Sequence, residues 1–220
     1  MVTRADWPWL RRRMAALAQP PGHWREAGGM DGHGRALKRA GVLIALVERD
    51  GGIHVVLTRR SDGLRDHAGQ ISFPGGRIES RDASPEATAL RETREEIGVA
   101  IDDLELLGYL PAYLTGTGFV VLPTVARLCP SAVMRPCPIE VAEIFEVPLG
   151  FILDARNHQP HVVANAGCHY RLAAIPYGDY FIWGATAGML MTLYSYLTGQ
   201  KPVVDPQGEP WSRPHNPSAG

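Results

Sequence analysis

The sequence predicts an α/β fold, a mixed β-sheet sandwiched between helices (α/β/α), from three observations. Two apolar runs, 42–47 and 53–58, are joined by an Asp-Gly-Gly turn, which is typical of neighbouring strands. Further strand-like stretches follow at 70–73, 104–110, 119–127 and 168–174. Two segments, 85–97 and 184–198, have the pattern of helices. A sheet with a helix on each face buries the apolar side of each element.

The 220 residues divide into three parts by composition. Residues 1–40 are predicted to form an amphipathic helix and a linker with a local excess of basic residues, a packing arm rather than an anion-binding one. Residues 41–199 hold the predicted α/β domain, with a late hairpin turning at 165–167. Five prolines from residue 200 onward predict an irregular tail over 200–220.

Composition excludes several classes of function. With 22 basic and 23 acidic residues the net charge is −1, so no general basic surface is available for nucleic acid or an anionic membrane. Three cysteines are too few and too widely spaced for a disulfide framework or a Cys-x-x-Cys zinc site, which favours a cytoplasmic location. The nearly apolar stretch 182–197 is too short to cross a bilayer comfortably. We expect neither nucleic acid nor membrane as a partner, and either a monomer or a homodimer.

The helix at 85–97 has both ends specified by local sequence. Ser84 is a good N-cap, and Pro85 suits the first helical position. Gly98 suits the left-handed conformation that follows a last turn. The position of this helix in the chain is therefore well defined, and so is the placement of the charged side chains that it carries.

Three carboxylates of this helix fall within one turn: Glu92, Glu95 and Glu96. One interpretation is a solvated acidic face balanced by Arg91 and Arg94, where each like-charge pair costs a few tenths of a kcal/mol. The Gly75-Gly76 pair favours another interpretation, because a glycine turn lets backbone groups approach a ligand closely. Mg²⁺ combines one or two carboxylates with phosphate oxygens and water. The combination predicts cation-assisted phosphate chemistry.

The stretch 76–99 resembles the Nudix box, whose generic form is G-x5-E-x7-R-E-U-x-E-E-x-G-U, where U is aliphatic. The second half is present as Arg-Glu-Thr-Arg-Glu-Glu-Ile-Gly-Val at 91–99. There are three departures from the generic box. Fourteen residues separate Gly76 from Arg91, one more than usual, Ala83 replaces the first glutamate, and Thr93 replaces an aliphatic residue.

These departures resemble one branch of the family, the coenzyme A pyrophosphatases, in which the box is a residue longer and an acid such as Asp82 occupies the loop. That branch carries an upstream signature, L-L-T-x-R-S-x-x-x-R-x-x-x-G-x-x-x-F-P-G-G, which residues 56–76 match apart from Val56. Similar stretches recur at 115–119, 140–149 and 182–187. The resemblance covers about residues 41–198 and implies the Nudix fold.

The resemblance implies the metal-binding and catalytic groups. Glu92, Glu95 and Glu96 would bind Mg²⁺ or Mn²⁺, and the carbonyl of Gly75 or Gly76 would complete the coordination shell. Arg91 would hold the loop by pairing with an acid such as Glu79 or Asp82. The candidates for the general base are Glu92, Glu95, Glu140 and Glu143. Glu140 and Glu143 also fit an interpretation as solvated loop charges before a strand.

The implied reaction is hydrolysis of the pyrophosphate bond of coenzyme A or an acyl-coenzyme A, giving 3′,5′-ADP and 4′-phosphopantetheine or its acylated form. Basic side chains upstream of the box suit the phosphates of this substrate: Arg59, Arg60, Arg65 and His67. Gly75 and Gly76 would lie against it. One alternative is the same chemistry on NADH, ADP-ribose or an oxidised nucleotide. The other is a nucleotide-sensing module without hydrolysis, against which the three retained glutamates argue.

Overall fold

A computed structural model describes residues 5–21, 36–63, 68–165 and 168–210. Within these ranges eight strands form the main sheet: β1 (Lys38–Arg49), β2 (Gly52–Arg60), β3 (Ile71–Ser72), β4 (Gly75–Arg77), β5 (Leu104–Tyr109), β6 (Tyr113–Leu114), β7 (Phe119–Leu128) and β8 (Val141–Pro148). The strand order is β3-β2-β1-β7-β5, with β8 paired to β2, β4 to β1 and β6 to β7. Strands β1 and β7 run parallel and the other pairs are antiparallel, so the sheet is mixed as predicted.

Helices cover both faces of this sheet. The described helices are α1 (Trp7–Met14), α2 (Pro85–Ile97), α3 (Leu149–Ile152) and α4 (Gly184–Thr198), with short 3-10 turns between elements. One face packs Leu43 and Val56 against Ala89 of α2, and the other packs Ile44 and Leu57 into the core that contains α4. The α/β/α architecture is confirmed, and α2 and α4 have the predicted bounds. None of the described helices is both long and apolar enough to cross a membrane.

A second, four-stranded sheet was not predicted. It contains β9 (Gln159–Asn165), β10 (Cys168–Tyr177), β11 (Tyr180–Trp183) and β12 (Glu209–Pro210), with β10 paired to the other three. The predicted late hairpin is present as β9 and β10, whose ends Asn165 and Cys168 lie opposite each other, although residues 166–167 lie outside the described ranges. Ile175 and Ile182 join this sheet to the core around α4.

Both terminal segments pack against the domain as far as the structure describes them. Leu10 and Met14 of α1 are fully buried in the core that contains α4. In the segment predicted as an irregular tail, Val204 is buried and the Tyr113 hydroxyl donates to the carbonyl of Pro206 at 2.6 Å. β12 then adds a short strand to the second sheet. Up to residue 210, this segment therefore folds back onto the domain.

Close backbone approaches fix α2 against β1 and β4. A Cβ atom at Gly41 would lie 1.9 Å from the carbonyl oxygen of Pro85, so the first turn of α2 packs directly on the strand. Gly75 has a φ of +153°, and a Cβ atom there would lie 2.5 Å from the carbonyl oxygen of Gly41. The start of α2 and the turn before β4 are thus held together through backbone contacts.

The loop between β4 and α2 is fixed by a nearly buried ion pair. The Asp82 carboxylate accepts hydrogen bonds from Nε and Nη2 of Arg91, both at 2.9 Å, and the side chains are 4% and 11% exposed. The same carboxylate accepts the backbone N–H of Glu79 and the hydroxyl of Thr88. The Arg91 guanidinium is the main reason that the pKa of Asp82 lies well below its ordinary value. The expected pairing of Arg91 with an acid of this loop is confirmed for Asp82.

Replacing Asp82 by alanine should lower the free energy of unfolding by about 3 kcal/mol, because Nε and Nη2 of the nearly buried Arg91 would lose their acceptor and only Nη1 would keep its carboxylate partners. Chemical denaturation of both proteins at pH 7 measures the difference. The matched control is Asp154→Ala, which breaks an Asp–Arg pair whose Arg156 is 89% exposed and should destabilise far less. Equal losses in the two variants would contradict the structural role of Asp82.

The same variant tests a pH dependence. A carboxyl group whose pKa is lowered by folding stabilises the folded state above its pKa in the unfolded chain, and this contribution is lost as pH falls through the folded value. The difference in unfolding free energy between wild type and Asp82→Ala should therefore be complete above about pH 5 and shrink below about pH 4. If the difference in unfolding free energy between the two proteins instead grew as the pH fell, the lowered pKa of Asp82 would be contradicted.

Candidate active site

Glu96 lies on α2 beneath the turn that opens β4. Its side chain is 3% exposed, and one carboxylate oxygen accepts the backbone N–H of Gly75 at 3.3 Å. Nη1 of Arg60 lies 3.8 Å from the other oxygen. Burial is the main cause that raises the pKa of Glu96 to about 8; Arg60 and the Gly75 N–H lower this pKa, and the neighbouring Glu92 and Glu140 carboxylates raise it. The site therefore holds a carboxylate whose charge is poorly compensated by the protein.

Glu92 lies one turn earlier on the same helix and faces Gly76. A Cβ atom at Gly76 would lie 2.4 Å from Oε1 of Glu92, so the glycine leaves the space that this carboxylate occupies. Nη1 of Arg91 donates to Oε1 at 2.8 Å. Burial nevertheless raises the pKa of Glu92, with smaller contributions from Glu95 and Glu140. Two partly desolvated carboxylates thus lie next to the glycine turn.

Glu92, Glu95 and Glu96 together are called the acidic group, and Glu95 lies at its outer side. Its side chain is 38% exposed and accepts hydrogen bonds from Arg91 at 3.0 Å and Arg81 at 3.4 Å. Because Nη1 of Arg91 also donates to Glu92, a single guanidinium nitrogen joins these two carboxylates. Glu95 therefore borders the site at its solvent side.

The acidic group fits a divalent cation by its donor chemistry and by its charge balance. Carboxylate and carbonyl oxygens are the ligands that Mg²⁺ and Mn²⁺ prefer. Burial and mutual repulsion disfavour the ionised forms of Glu92 and Glu96, and a bound cation would reverse both effects. As the described side chains stand, no three His, Cys, Asp or Glu groups converge on one point for an ion. Instead, the Arg91 guanidinium contacts both Glu92 and Glu95, and Arg81 also contacts Glu95.

The two acids outside the helix lie on different sides of the main sheet. Glu140, in the turn before β8, is close enough to raise the pKa of both Glu92 and Glu96. Glu143 lies inside β8 rather than in a loop before it. Its carboxylate accepts the Tyr180 hydroxyl at 2.6 Å and Nε of Arg59 at 3.3 Å, on the face whose next residue is Phe145 of the α4 core. Of these two acids, the structure brings Glu140 to the acidic group.

The basic residues predicted to contact substrate are also separated. The pairing of β2 with β8 is irregular between Arg59 and Arg60, and Arg60 points towards α2 and Glu96. Nε of Arg60 is buried and has no hydrogen-bond partner among the described residues. Arg59 lies on the opposite face with Glu143. Arg65 and His67 lie outside the described ranges.

A cavity of about 570 Å³ opens beside the acidic group. It is lined by Arg77, Ile78, Glu79, Ser80 and Glu92. Arg77 was not among the predicted site residues, although its position directly after the Gly-Gly pair was a signal for it. Tyr180 was also missed, because it reaches Glu143 from the second sheet and no local pattern reveals that contact.

The departures from the generic box have structural explanations. Thr93, in place of an aliphatic residue, is fully buried, and its hydroxyl donates to the carbonyl of Ala89 at 2.6 Å. The longer loop is held by Asp82, which pairs with Arg91 from a position next to Ala83. The third departure, Ala83, lacks the first glutamate of the generic box, and the adjacent Asp82 supplies the carboxylate that pairs with Arg91.

Comparison with known proteins gives one consistent family. Residues 37–143 match the family model for the NUDIX domain. An uncharacterised Nudix hydrolase, NudL of Cronobacter sakazakii, is 38% identical over 166 residues, which cover 75% of this chain and 85% of the relative. NudL of Citrobacter koseri is 40% identical over 156 residues, covering 71% and 81%. The solved structure of the Nudix hydrolase RenU from M. smegmatis aligns with a TM-score of 0.46 at 21% identity, over 56% of this chain and 79% of that one.

The sequence relationship extends over most of each NudL relative, and the box lies within the matched domain. The chain therefore belongs to the Nudix hydrolase family and is a pyrophosphohydrolase.

Proposed function

We propose that this hydrolase cleaves the pyrophosphate bond of coenzyme A or acyl-coenzyme A with the help of Mg²⁺ or Mn²⁺. The products would be 3′,5′-ADP and 4′-phosphopantetheine or its acylated form. The observation that carries the proposal is the pairing of Asp82 with Arg91, which supports the one-residue-longer box of the coenzyme A branch. The upstream signature at 56–76 supports the same branch. A cytoplasmic location and a monomeric or homodimeric state are part of the proposal.

The carboxylates of Glu92, Glu95 and Glu96, with the carbonyl of Gly76, would hold the cation. When bound, a divalent cation neutralises charge on the pyrophosphate and lowers the pKa of a coordinated water. The protein supplies the geometry: α2 presents Glu92 and Glu96 on one side, and the missing side chain at Gly76 leaves the space that the Glu92 carboxylate occupies. Arg91 would keep Glu92 and Glu95 oriented through its shared nitrogen.

Among the candidates for the general base we favour Glu140. A base must reach the attacking water, and the carboxylate of Glu140 interacts electrostatically with Glu92 and Glu96. Glu143 is engaged by Tyr180 and Arg59 on the other face of the sheet. Glu92 and Glu95, also candidates, would be occupied as ligands. Glu140 would therefore take the proton of the water as it attacks phosphorus.

Arg60 is the basic residue best placed to contact the pyrophosphate. It lies next to Glu96, and its Nε has no partner in the described structure. A guanidinium in this position can donate to phosphate oxygens while it lowers the repulsion between substrate and carboxylates. Arg59, Arg65 and His67 would contribute further positive charge from β2 and the following loop, and Gly75 and Gly76 would lie against the substrate.

The proposal is tested by incubating the purified protein with coenzyme A and Mg²⁺ or Mn²⁺ and identifying the products by mass. We expect 3′,5′-ADP and 4′-phosphopantetheine. Parallel reactions with dephospho-coenzyme A, NADH and ADP-ribose provide the comparison. A kcat/KM for any of these that equals or exceeds that for coenzyme A would contradict the substrate assignment. Binding of these nucleotides without hydrolysis would instead favour the sensing alternative.

Replacing Glu96 by glutamine should lower kcat/KM at least about 100-fold, because the buried carboxylate that would bind the cation becomes neutral. Thermal unfolding at pH 7 without metal should show a stability close to that of wild type, since a pKa of about 8 leaves most of the buried Glu96 carboxyl neutral and the glutamine amide is similar in size. The matched control, Glu86→Gln, lies in the first turn of the same helix, about 15 Å away along its axis, and should retain activity. Wild-type activity in the Glu96→Gln variant would remove this residue from the site.

A further inference from the structure

A second cavity continues the first one along the edge of β4. It has a volume of about 410 Å³ and is lined by residues 36–39, Arg77 and Ile78. Arg77 and Ile78 also line the cavity beside Glu92, so the two cavities adjoin at these residues, and we treat them as one groove. At one end the groove contains a proposed metal ligand, and at the other it reaches the start of β1. We name this the edge groove.

The far end of the edge groove carries two exposed cations on one face of the sheet. Ala40 pairs with Arg77, and Lys38 lies two residues before Ala40, so Lys38 and Arg77 are diagonal neighbours on the same face with their Cα atoms roughly 7–8 Å apart. The Lys38 ammonium lies 5.3 Å from the centre of the Phe119 ring. Arg39 lines the same cavity, and its carbonyl accepts the N–H of Ile78.

Lys38 and Arg77 are both exposed cations. In the described part of the chain, neither Lys38 nor Arg77 forms an ion pair with a carboxylate. Glu79, the nearest acid along β4, pairs with Arg81 at 2.8 Å. Two exposed cations in one groove repel each other weakly across water, and an anion bound between them is attracted by both. A phosphate dianion satisfies both, and arginine can contact it through two parallel hydrogen bonds.

We propose that Lys38 and Arg77 form a subsite for a phosphate monoester, the 3′-phosphate of the adenosine moiety of coenzyme A. The inference rests on the proposed function, because it places the pyrophosphate beside Glu92 and the adenosine along the edge groove. Lys38 on β1 and Arg77 on β4 would then be the residues that distinguish coenzyme A from dephospho-coenzyme A. Arg59, Arg60, Arg65 and His67 then serve the pyrophosphate or other parts of the substrate.

Isothermal titration calorimetry without metal tests the subsite directly. The ligands are 3′,5′-ADP, its isomer ADP, which carries both phosphates at the 5′ position, and AMP. The wild-type protein should bind 3′,5′-ADP at least about 10-fold more tightly than either of the others. Lys38→Ala and Arg77→Ala should each weaken binding of 3′,5′-ADP about 10-fold and change binding of AMP less than 2-fold. Arg13→Ala, which removes an exposed cation from α1, is the matched control and should bind like wild type.

Two results would overturn the subsite. One is a wild-type protein that does not distinguish 3′,5′-ADP from ADP, and the other is a preference that persists in both variants.

Because both side chains are exposed, circular dichroism should show unchanged folding, and Arg77→Lys should restore part of the affinity. If coenzyme A is hydrolysed, the two alanine variants should raise its KM several-fold more than the KM of dephospho-coenzyme A. If it is not hydrolysed but the preference for 3′,5′-ADP is lost in both variants, the proposed function fails and the subsite stands.

Discussion

The burial of the Glu96 carboxylate under the turn that opens β4 is the constraint on which the rest of the site depends. A buried carboxylate is unfavourable unless it is paired or neutralised, and the described partners of Glu96 are one N–H and a guanidinium at 3.8 Å. The resulting pKa of about 8 shows how incomplete the compensation is. The close packing at Gly41 and Gly75 keeps β4 in place over this group. The fold thus holds a carboxyl group whose ionised form a bound divalent cation would stabilise.

The main sheet divides the acidic and basic residues into two groups by the alternation of side chains along its strands. Arg60 and Glu140 belong to the side of α2, whereas Arg59 and Glu143 belong to the side of α4, where Tyr180 joins them. Residues that are adjacent in the sequence therefore have different surroundings. The edge groove passes around β4, which pairs with β1 and no other described strand. The proposed cation site and the proposed phosphate subsite would therefore both lie at the margin of the sheet.

The elements that could be predicted are those whose ends are determined by residues within or next to them. The ends of α2 follow from Ser84, which accepts the N–H of Ala87, and from Gly98, which adopts the left-handed conformation. The pairing of Arg91 with the loop also followed from the resemblance. The short strand β4 and the second sheet were not predictable in this way, because a three-residue strand has no periodicity and sheet pairing depends on distant residues. For the same reason, the different locations of Glu140 and Glu143 could not be predicted from local sequence.

The central claim is that the carboxylates of α2 bind a divalent cation, and the most direct measurement is Mn²⁺ titration followed by electron paramagnetic resonance, in which the free ion is observed. The wild-type protein should remove free Mn²⁺ from solution with a Kd in the millimolar range or tighter. A protein carrying Glu92→Gln together with Glu96→Gln should leave the signal of the free ion unchanged. Equal uptake by both proteins, or no uptake by the wild type at millimolar Mn²⁺, would contradict the account.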